Sequence, residues 1–335
     1  MPCHYPLQGY LKFESDGKKS FQCCPASYYA FVNGTTTSLD VEHALAVPCG
    51  RCMACRLERS RQVALRAVHE SKLYFDSCFV TLTFSDEMIA RCCPKINGRY
   101  SLVRKHLQDF MKRLREKFSR GFSVTNDYGC RKFYMFDRIR VLGCGEYGDD
   151  AGRPHYHLCL FNCSFPDRKF WKMKNGFKYY NSKLLDSLWS LDRDNIGHAV
   201  IGDFSFETAA YVARYCTKKV TGDKADDHYR GILPEFPVYS LKPGLGADWF
   251  ERHMLTDFIP HDCAVIRGVP CKLPRYYDKL WERFDPQGFA FAKEKRLLDS
   301  LEDADDNTYQ RLRVKEKCMD ARIRLLVRDL EKYGT

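Results

Sequence analysis

From Cys78 to Phe84 the chain reads CFVTLTF, a run of β-branched and aromatic residues that predicts a buried strand. Val103, Leu107, Phe110, Met111, Leu114 and Phe118 recur at helical spacing with Arg and Lys between them, which predicts an amphipathic helix with a basic outer face. Further on, FYMFDRIRVLGCGEY and PHYHLCLF flank the Gly/Asp turn GDDAG and predict an antiparallel hairpin. NSKLLDSLWSL predicts a helix and GHAVIGDF a strand. SFETAAYVARYCTKKV predicts another helix, with Ser205 at its N-cap and Glu207 in its first turn. Upstream, RLERSRQVALRAVHESKLYF from Arg56 has helix formers and neither Gly nor Pro. Residues 222–290 are rich in Pro, Gly and aromatic side chains and read as irregular, whereas residues 291–331 read as mostly helical. The order β, α, ββ, α, β, α predicts an α+β fold: an antiparallel-rich central sheet with flanking helices, a Cys-rich N-terminal arm and a mostly helical C-terminal extension. The expected organisation is an arm and basic helix over 1–75, a core over 76–222 and an accessory region over 223–335.

Composition places this pattern in a globular chain, since 44% of the 335 residues are hydrophobic and a large core can be buried. The formal charge is +11, and residues 51–120 alone hold 16 Lys and Arg against 7 Asp and Glu. So basic a stretch points to a polyanionic partner, most often nucleic acid, over the plainer reading of a solvated face. There are 17 cysteines, and the opening MPCHYPLQGYLKFESDGKK has no long apolar core behind a basic start. An odd cysteine total without a secretory leader argues for a reducing compartment, with thiols buried or holding metal. No apolar run reaches the ~18 residues of a membrane span, so no membrane partner is expected.

The hairpin carries the first candidate chemistry. His155 and His157 are two apart on a predicted strand, so their side chains leave the same face. With the turn centred near Asp150 and Ala151, Glu146 on the neighbouring strand falls roughly opposite His155. Cross-strand neighbours stand ~5 Å apart, close enough to share one ion. Two imidazoles and a carboxylate with open positions suit Mn²⁺, Mg²⁺ or Zn²⁺. A surface histidine pair is the bland alternative, and the facing glutamate weighs against it.

In YVARYCTKK, Tyr211 and Tyr215 are i, i+4 on a helix and share a face, with Lys218 and Lys219 on or beside it. Aromatic pairs at this spacing usually pack a core, but packing does not call for Arg214, Lys218 and Lys219 around them. Tyrosine is also a nucleophile. With a free pKa near 10 it needs cationic neighbours, and its target phosphate needs an ion to draw off charge. Aryl phosphate esters keep the bond energy, so attack on DNA can be reversed by a sugar hydroxyl.

Three elements thus stand in order: FVTLTF, GEYG…GRPHYH and YVARYCTKK. Together they resemble the three motifs of HUH endonucleases, the rolling-circle replication initiators, and more narrowly the initiators of gokushovirus-type microviruses. The early VPCGRCMACR element belongs to the same resemblance, which spans about residues 49–219. It implies Glu146, His155 and His157 as metal residues, holding Mg²⁺ or Mn²⁺, with Tyr215 as the motif nucleophile, Lys218 as its lysine and Tyr211 as the second tyrosine. It further implies nicking of single-stranded origin DNA, a 5′-phosphotyrosyl link, a free 3′-hydroxyl for a host polymerase, and later rejoining of the circle. The location implied is the cytoplasm of a bacterial host. No GxxxxGK[ST] occurs in the sequence, so strand opening is expected from a host helicase or from origin structure.

Cys49, Cys52 and Cys55 form CxxCxxC, and Cys3, Cys23 or Cys24 can complete a tetrahedral set, Cys3 first among them. Thiolates at this spacing fit structural Zn²⁺, with an iron–sulfur cluster as the rival and free thiols as the plain alternative. Bound zinc would fix the arm beside the basic helix, whose Arg56, Arg59, Arg61 and Arg66, together with Arg214 and Lys219, are the expected phosphate contacts. Three other functions share parts of this pattern: a relaxase or plasmid-type nickase, a non-catalytic zinc-containing nucleic-acid-binding protein, and a zinc hydrolase that leaves the tyrosines unexplained.

Overall fold

A computed structural model describes residues 3–13, 19–23, 44–125, 128–148, 151–174, 176–192, 194–215, 220, 224–302 and 305–325. The chain divides into two compact units, Met1–Glu58 with Phe291–Val327, and Arg59–Ala290 with Arg328–Thr335.

In the first unit, strands β1 (Leu7–Phe13), β2 (Lys19–Cys23) and β3 (Ala44–Val47) form an antiparallel sheet in the order β2–β1–β3. Helix α1 (Met53–Ser71) begins in this unit, and the long helix Tyr309–Leu325 also belongs to it.

The second unit is built on a seven-stranded sheet. Its strands are β4 (Ser77–Leu82), β5 (Arg140–Tyr147), β6 (Pro154–Phe161), β7 (Lys169–Lys174), β8 (Phe177–Asn181), β9 (Ala199–Asp203) and β10 (Phe236–Tyr239). They run in the order β7–β8–β9–β4–β6–β5–β10, every neighbouring pair antiparallel, which is the α+β architecture expected. One expectation is corrected. The stretch read as irregular contributes β10, whose Pro237 is tolerated because the strand lies at the sheet's edge.

Every residue of β5 and β6 is buried, because helices cover both faces of the sheet there. On one face α2 (Arg104–Arg120) packs Leu107, Phe110, Leu114 and Phe118 into a core with Val80, Leu82, Leu158 and Leu160. On the other, Ala64 and Ala67 of α1 and Ala209, Tyr211, Val212 and Ala213 of α3 (Phe206–Tyr215) meet Phe79, Leu142, Cys144 and Cys159. Helix α3 lies across β5 and β6. Its start is fixed as expected: Ser205 Oγ accepts from Thr208 N at 3.2 Å, and Ser205 N donates back to Thr208 Oγ1 at 2.9 Å.

The C-terminal end of α1 is tied down by buried polar groups. Glu70 Oε1 stands 2.5 Å from Arg140 Nε, and Glu70 Oε2 accepts from Gly246 N at 2.6 Å. Gly246 has φ +77° and a Cβ there would sit 2.3 Å from the Tyr277 hydroxyl, so only glycine fits. Beside it, His69 Nδ1 is 2.9 Å from the Tyr277 hydroxyl, and burial pushes the His69 imidazole down to about 3. No helix among the described residues is long and apolar enough to cross a membrane.

Candidate metal and tyrosine site

The antiparallel register decides where the hairpin's polar side chains go. His155 is paired with Glu146 and His157 with Cys144 on β5 and with Thr81 on β4. Because side chains alternate, Glu146, His155 and His157 leave the sheet on the face that α3 covers. Their neighbours on that face are apolar, and buried polar side chains in such a setting persist only when they are satisfied by partners.

The partners converge on one oxygen. His155 Nε2 is 2.8 Å and His157 Nε2 2.9 Å from Glu146 Oε1. The far nitrogens are held as well, His155 Nδ1 at 3.0 Å from the Arg153 carbonyl and His157 Nδ1 at 2.9 Å from Thr81 Oγ1. A carbonyl only accepts, so His155 Nδ1 carries a hydrogen, and in the neutral ring that leaves Nε2 as the lone-pair atom facing Glu146. Burial works against the Glu146 carboxylate, but the two imidazoles outweigh it and hold its pKa down at about 2. Burial also pushes the His157 imidazole down, against the pull of Glu146.

Ring nitrogens converging on one carboxylate oxygen at such distances call for positive charge, supplied either by protons on the imidazoles or by a cation held among the three side chains. The donor atoms lie within 4.8 Å of one another, and Glu146 Oε2 is buried with no hydrogen-bond partner among the described residues. Two imidazoles and a carboxylate oriented in this way fit a divalent cation.

Tyr211 joins the group from α3. Its hydroxyl is 3.3 Å from Glu146 Oε1 and 3.3 Å from His157 Nε2, and its ring stands edge-on to His157 at 5.0 Å. Phe79 of the FVTLTF strand stacks on His157 at 5.4 Å and meets Tyr211 edge-on. Glu146, His155, His157 and Tyr211 are only 1%, 6%, 4% and 3% exposed, so the cluster is closed to solvent. A cavity of about 660 Å³ opens elsewhere, beside the β10 edge, and none of these four residues lines it.

The other candidates fall in different places. Lys218, Lys219 and the Tyr215 side chain lie outside the described residues, as do Cys24 and the Cys23 side chain. Arg214 is half-buried near the end of α3. Along α1, Arg59 is exposed and Arg56 half-buried. Arg61 donates to the Lys272 carbonyl at 2.9 Å, while Arg66 donates to the Leu245 carbonyl at 2.9 Å and stacks 4.1 Å over the Tyr276 ring. The Arg66 guanidinium thus ties α1 to the residues after β10 and does not stand in a row of surface charges. Cys3 comes together with Cys49, Cys52 and Cys55. Sequence reading missed Thr81 and the Arg153 carbonyl, which orient the histidines. Thr81 carried a signal only in sharing the FVTLTF strand, since a threonine there reads equally as strand propensity.

Comparison with known proteins places the chain in a family. Residues 77–220 match the family described as "Replication-associated protein ORF2/G2P". The chain is 31% identical to "Replication-associated protein VP4" of Bdellovibrio phage phiMH2K, covering 77% of this chain and 75% of that protein. It is 33% identical to "Replication-associated protein ORF2" of Spiroplasma virus 4, covering 75% and 73%, and 28% identical to "Replication-associated protein ORF4" of Chlamydia phage 1, covering 79% and 63%. The chain belongs to the replication-associated proteins of small phages, of the microvirus type that the motifs implied. No solved structure matches it.

Proposed function

We propose that the protein initiates rolling-circle replication of a small single-stranded DNA phage by nicking the origin through a tyrosine and later rejoining the circle. One observation carries this reading: the Tyr211 hydroxyl meets Glu146 and His157 at 3.3 Å, so a phenol and a metal-fitting donor set share one place. Family membership supports the replication role.

Glu146, His155 and His157 would hold Mg²⁺ or Mn²⁺, which when bound draws charge from a phosphodiester oxygen. Thr81 and the Arg153 carbonyl keep the two imidazole rings turned inward. A tyrosine oxygen gives up its proton and attacks phosphorus, and the P–O3′ bond breaks. The 3′-oxygen takes a proton and leaves as a hydroxyl for a host polymerase, while the 5′ side stays as a phosphotyrosine. In the reverse step a 3′-hydroxyl attacks that ester and frees the phenol. Tyr211 and Tyr215, one helical turn apart, would alternate, with Lys218 as the cationic neighbour that the resemblance implies. A host helicase or the structure of the origin would supply the open strand.

The experiment combines purified protein, Mn²⁺ or Mg²⁺ and single-stranded DNA containing the origin, read on a denaturing gel. The expected result is a protease-sensitive DNA–protein band on the 5′ side of the cut, absent with Tyr211→Phe plus Tyr215→Phe. Undiminished cutting by that double variant would sink the tyrosine assignment. Full activity of His155→Ala with His157→Ala would remove the metal from it. Burial of the cluster favours a second reading, in which the site is purely structural and DNA is held without cleavage; salt-sensitive binding with no covalent band identifies it.

A further inference from the structure

We propose that Cys3, Cys49, Cys52 and Cys55 hold one structural Zn²⁺, and that this ion is what orders the unit containing Met1–Glu58 and Phe291–Val327. The four sulfurs all lie within 4.8 Å of one another, with Cys49 and Cys55 Sγ 4.0 Å apart and Cys52 and Cys3 Sγ 3.9 Å apart. Four thiolates around one zinc, each at ~2.3 Å in a tetrahedron, stand roughly 3.8 Å from each other. All four cysteines are free, and these separations are far beyond a disulfide bond. Sulfurs drawn this close surround one ion and leave no room for a four-iron cube.

The backbone is shaped to the same end. Gly50 takes φ +72° between Cys49 and Cys52, which turns the chain back so that two backbone N–H groups reach sulfur. Cys49 N points to Cys3 Sγ and Cys52 N to Cys49 Sγ, each at 3.3 Å. Hydrogen bonds of this kind favour the thiolate form that a metal needs.

The unit also lacks an alternative source of stability among the described residues. Neither described hydrophobic cluster includes one of its residues, and among its described residues the buried apolar side chains are Cys3, Ala54, Cys55 and Leu312. A unit whose described residues bury so little apolar surface gains most from a staple. The residues next to Cys3 carry its grip to the C-terminal helix. Arg313 donates to the His4 carbonyl and stacks 3.6 Å over the Tyr5 ring, and the Tyr5 hydroxyl donates to Glu316 Oε2 at 2.9 Å. Holding Cys3 therefore holds Tyr309–Leu325.

The full chain, purified under reducing conditions, should contain one zinc by elemental mass spectrometry that survives His155→Ala with His157→Ala and is lost in Cys52→Ser. Cobalt exchanged into the native protein should give the intense thiolate charge-transfer and visible bands of a tetrahedral tetrathiolate site, a readout that needs no variant. In the His155→Ala plus His157→Ala background, chelation should speed amide exchange in residues 309–325 and leave residues 77–161 unchanged. Iron with visible absorption, absence of any metal, zinc retained by Cys52→Ser, or unchanged exchange in the C-terminal helix would each overturn the assignment. None of these readouts depends on DNA cleavage, so the proposal stands or falls apart from the nicking reading.

We infer independently that the β7–β8 hairpin is an arm for single-stranded nucleic acid, which rests on the replication reading and extends it to a second contact. Between Asp167 and Asp186 the chain has six Lys and Arg and no acidic residue. On β7, an edge strand, Phe170, Trp171 and Met173 are 60%, 48% and 57% exposed. The pairing shifts between Phe170 and Lys172, a bulge that sets Trp171 apart from the ladder, and Lys172 Nζ lies 3.9 Å over its ring. Lysines on an edge strand guard against aggregation, but that role does not call for exposed Trp, Phe and Met beside them. Flat aromatic faces between cations are what stacked bases and their phosphates require.

Labelled oligo-dT lacking the origin is the probe, read by anisotropy and Trp171 fluorescence. Quenching on binding is expected, with affinity lowered roughly tenfold or more by Phe170→Ala plus Trp171→Ala. Lys172→Gln plus Lys178→Gln should flatten the log affinity against log salt slope by about 1.4. Covalent-band formation on a saturating short origin oligonucleotide should persist in both. Unchanged affinity and slope, or a hairpin that instead drives self-association in sedimentation, would reject the assignment.

Discussion

Thr81 has the same local surroundings in sequence as any buried strand residue, yet its hydroxyl is 2.9 Å from His157 Nδ1. Removing that contact leaves the ring free to turn and changes which nitrogen carries the hydrogen. Thr81→Val, equal in shape, should lower Mn²⁺ affinity roughly 10–100-fold, as losses of such supporting contacts do. Thr81→Ser should restore most of it, and calorimetric titration of the ion reads both. Equal affinity in all three proteins would show that His157 is oriented by packing alone. The histidines and Glu146 were legible because a two-residue spacing on one strand and a facing carboxylate on the next follow from pleat geometry. Their inward orientation was not, since it depends on residues 76 and 2 positions away.

Among the elements, α1 shows how a helix can be legible while its purpose is not. Its basic character suggested a surface for phosphates, but Arg66, His69 and Glu70 face inward to partners 179, 208 and 176 residues along the chain. No local pattern announces contacts of that range. Glu70→Ala would leave Arg140 buried and unpaired, with an expected loss of about 3–5 kcal/mol in urea unfolding. Ser205→Ala, which removes only the N-cap of α3, should cost about 1 kcal/mol. A smaller loss for Glu70→Ala than for Ser205→Ala would mean that water reaches Arg140. The edge strands escaped the sequence reading for different reasons. β10 is four residues long with a proline inside it, and β7 alternates lysine with aromatic residues that are nearly all exposed, so no buried face imposes a period.

For the whole molecule, the buried His69 sets an acid-side slope. Its folded pKa is pushed down to about 3 by burial, with Lys72 and His253 adding to the effect, whereas an unfolded histidine titrates near 6.5. As pH falls from 6.5 toward 3 the unfolded chain takes up a proton that the folded protein refuses. Stability then drops by about 1.4 kcal/mol per pH unit from this group. Urea midpoints of the parent and of His69→Gln, compared at pH 7 and pH 5, should converge as the pH is lowered; a constant gap would exclude His69 as the source.

The residues proposed to hold the ion and the phenol proposed to attack come from parts of the chain that become available at different times. Glu146, His155 and His157 sit within one hairpin, with the paired Glu146 and His155 only nine positions apart, but Tyr211 is 54 positions beyond His157. On that proposal, a cation can be trapped during synthesis before α3 has left the ribosome. The newborn protein would then be metallated and chemically silent, and cutting competence would begin only when α3 docks.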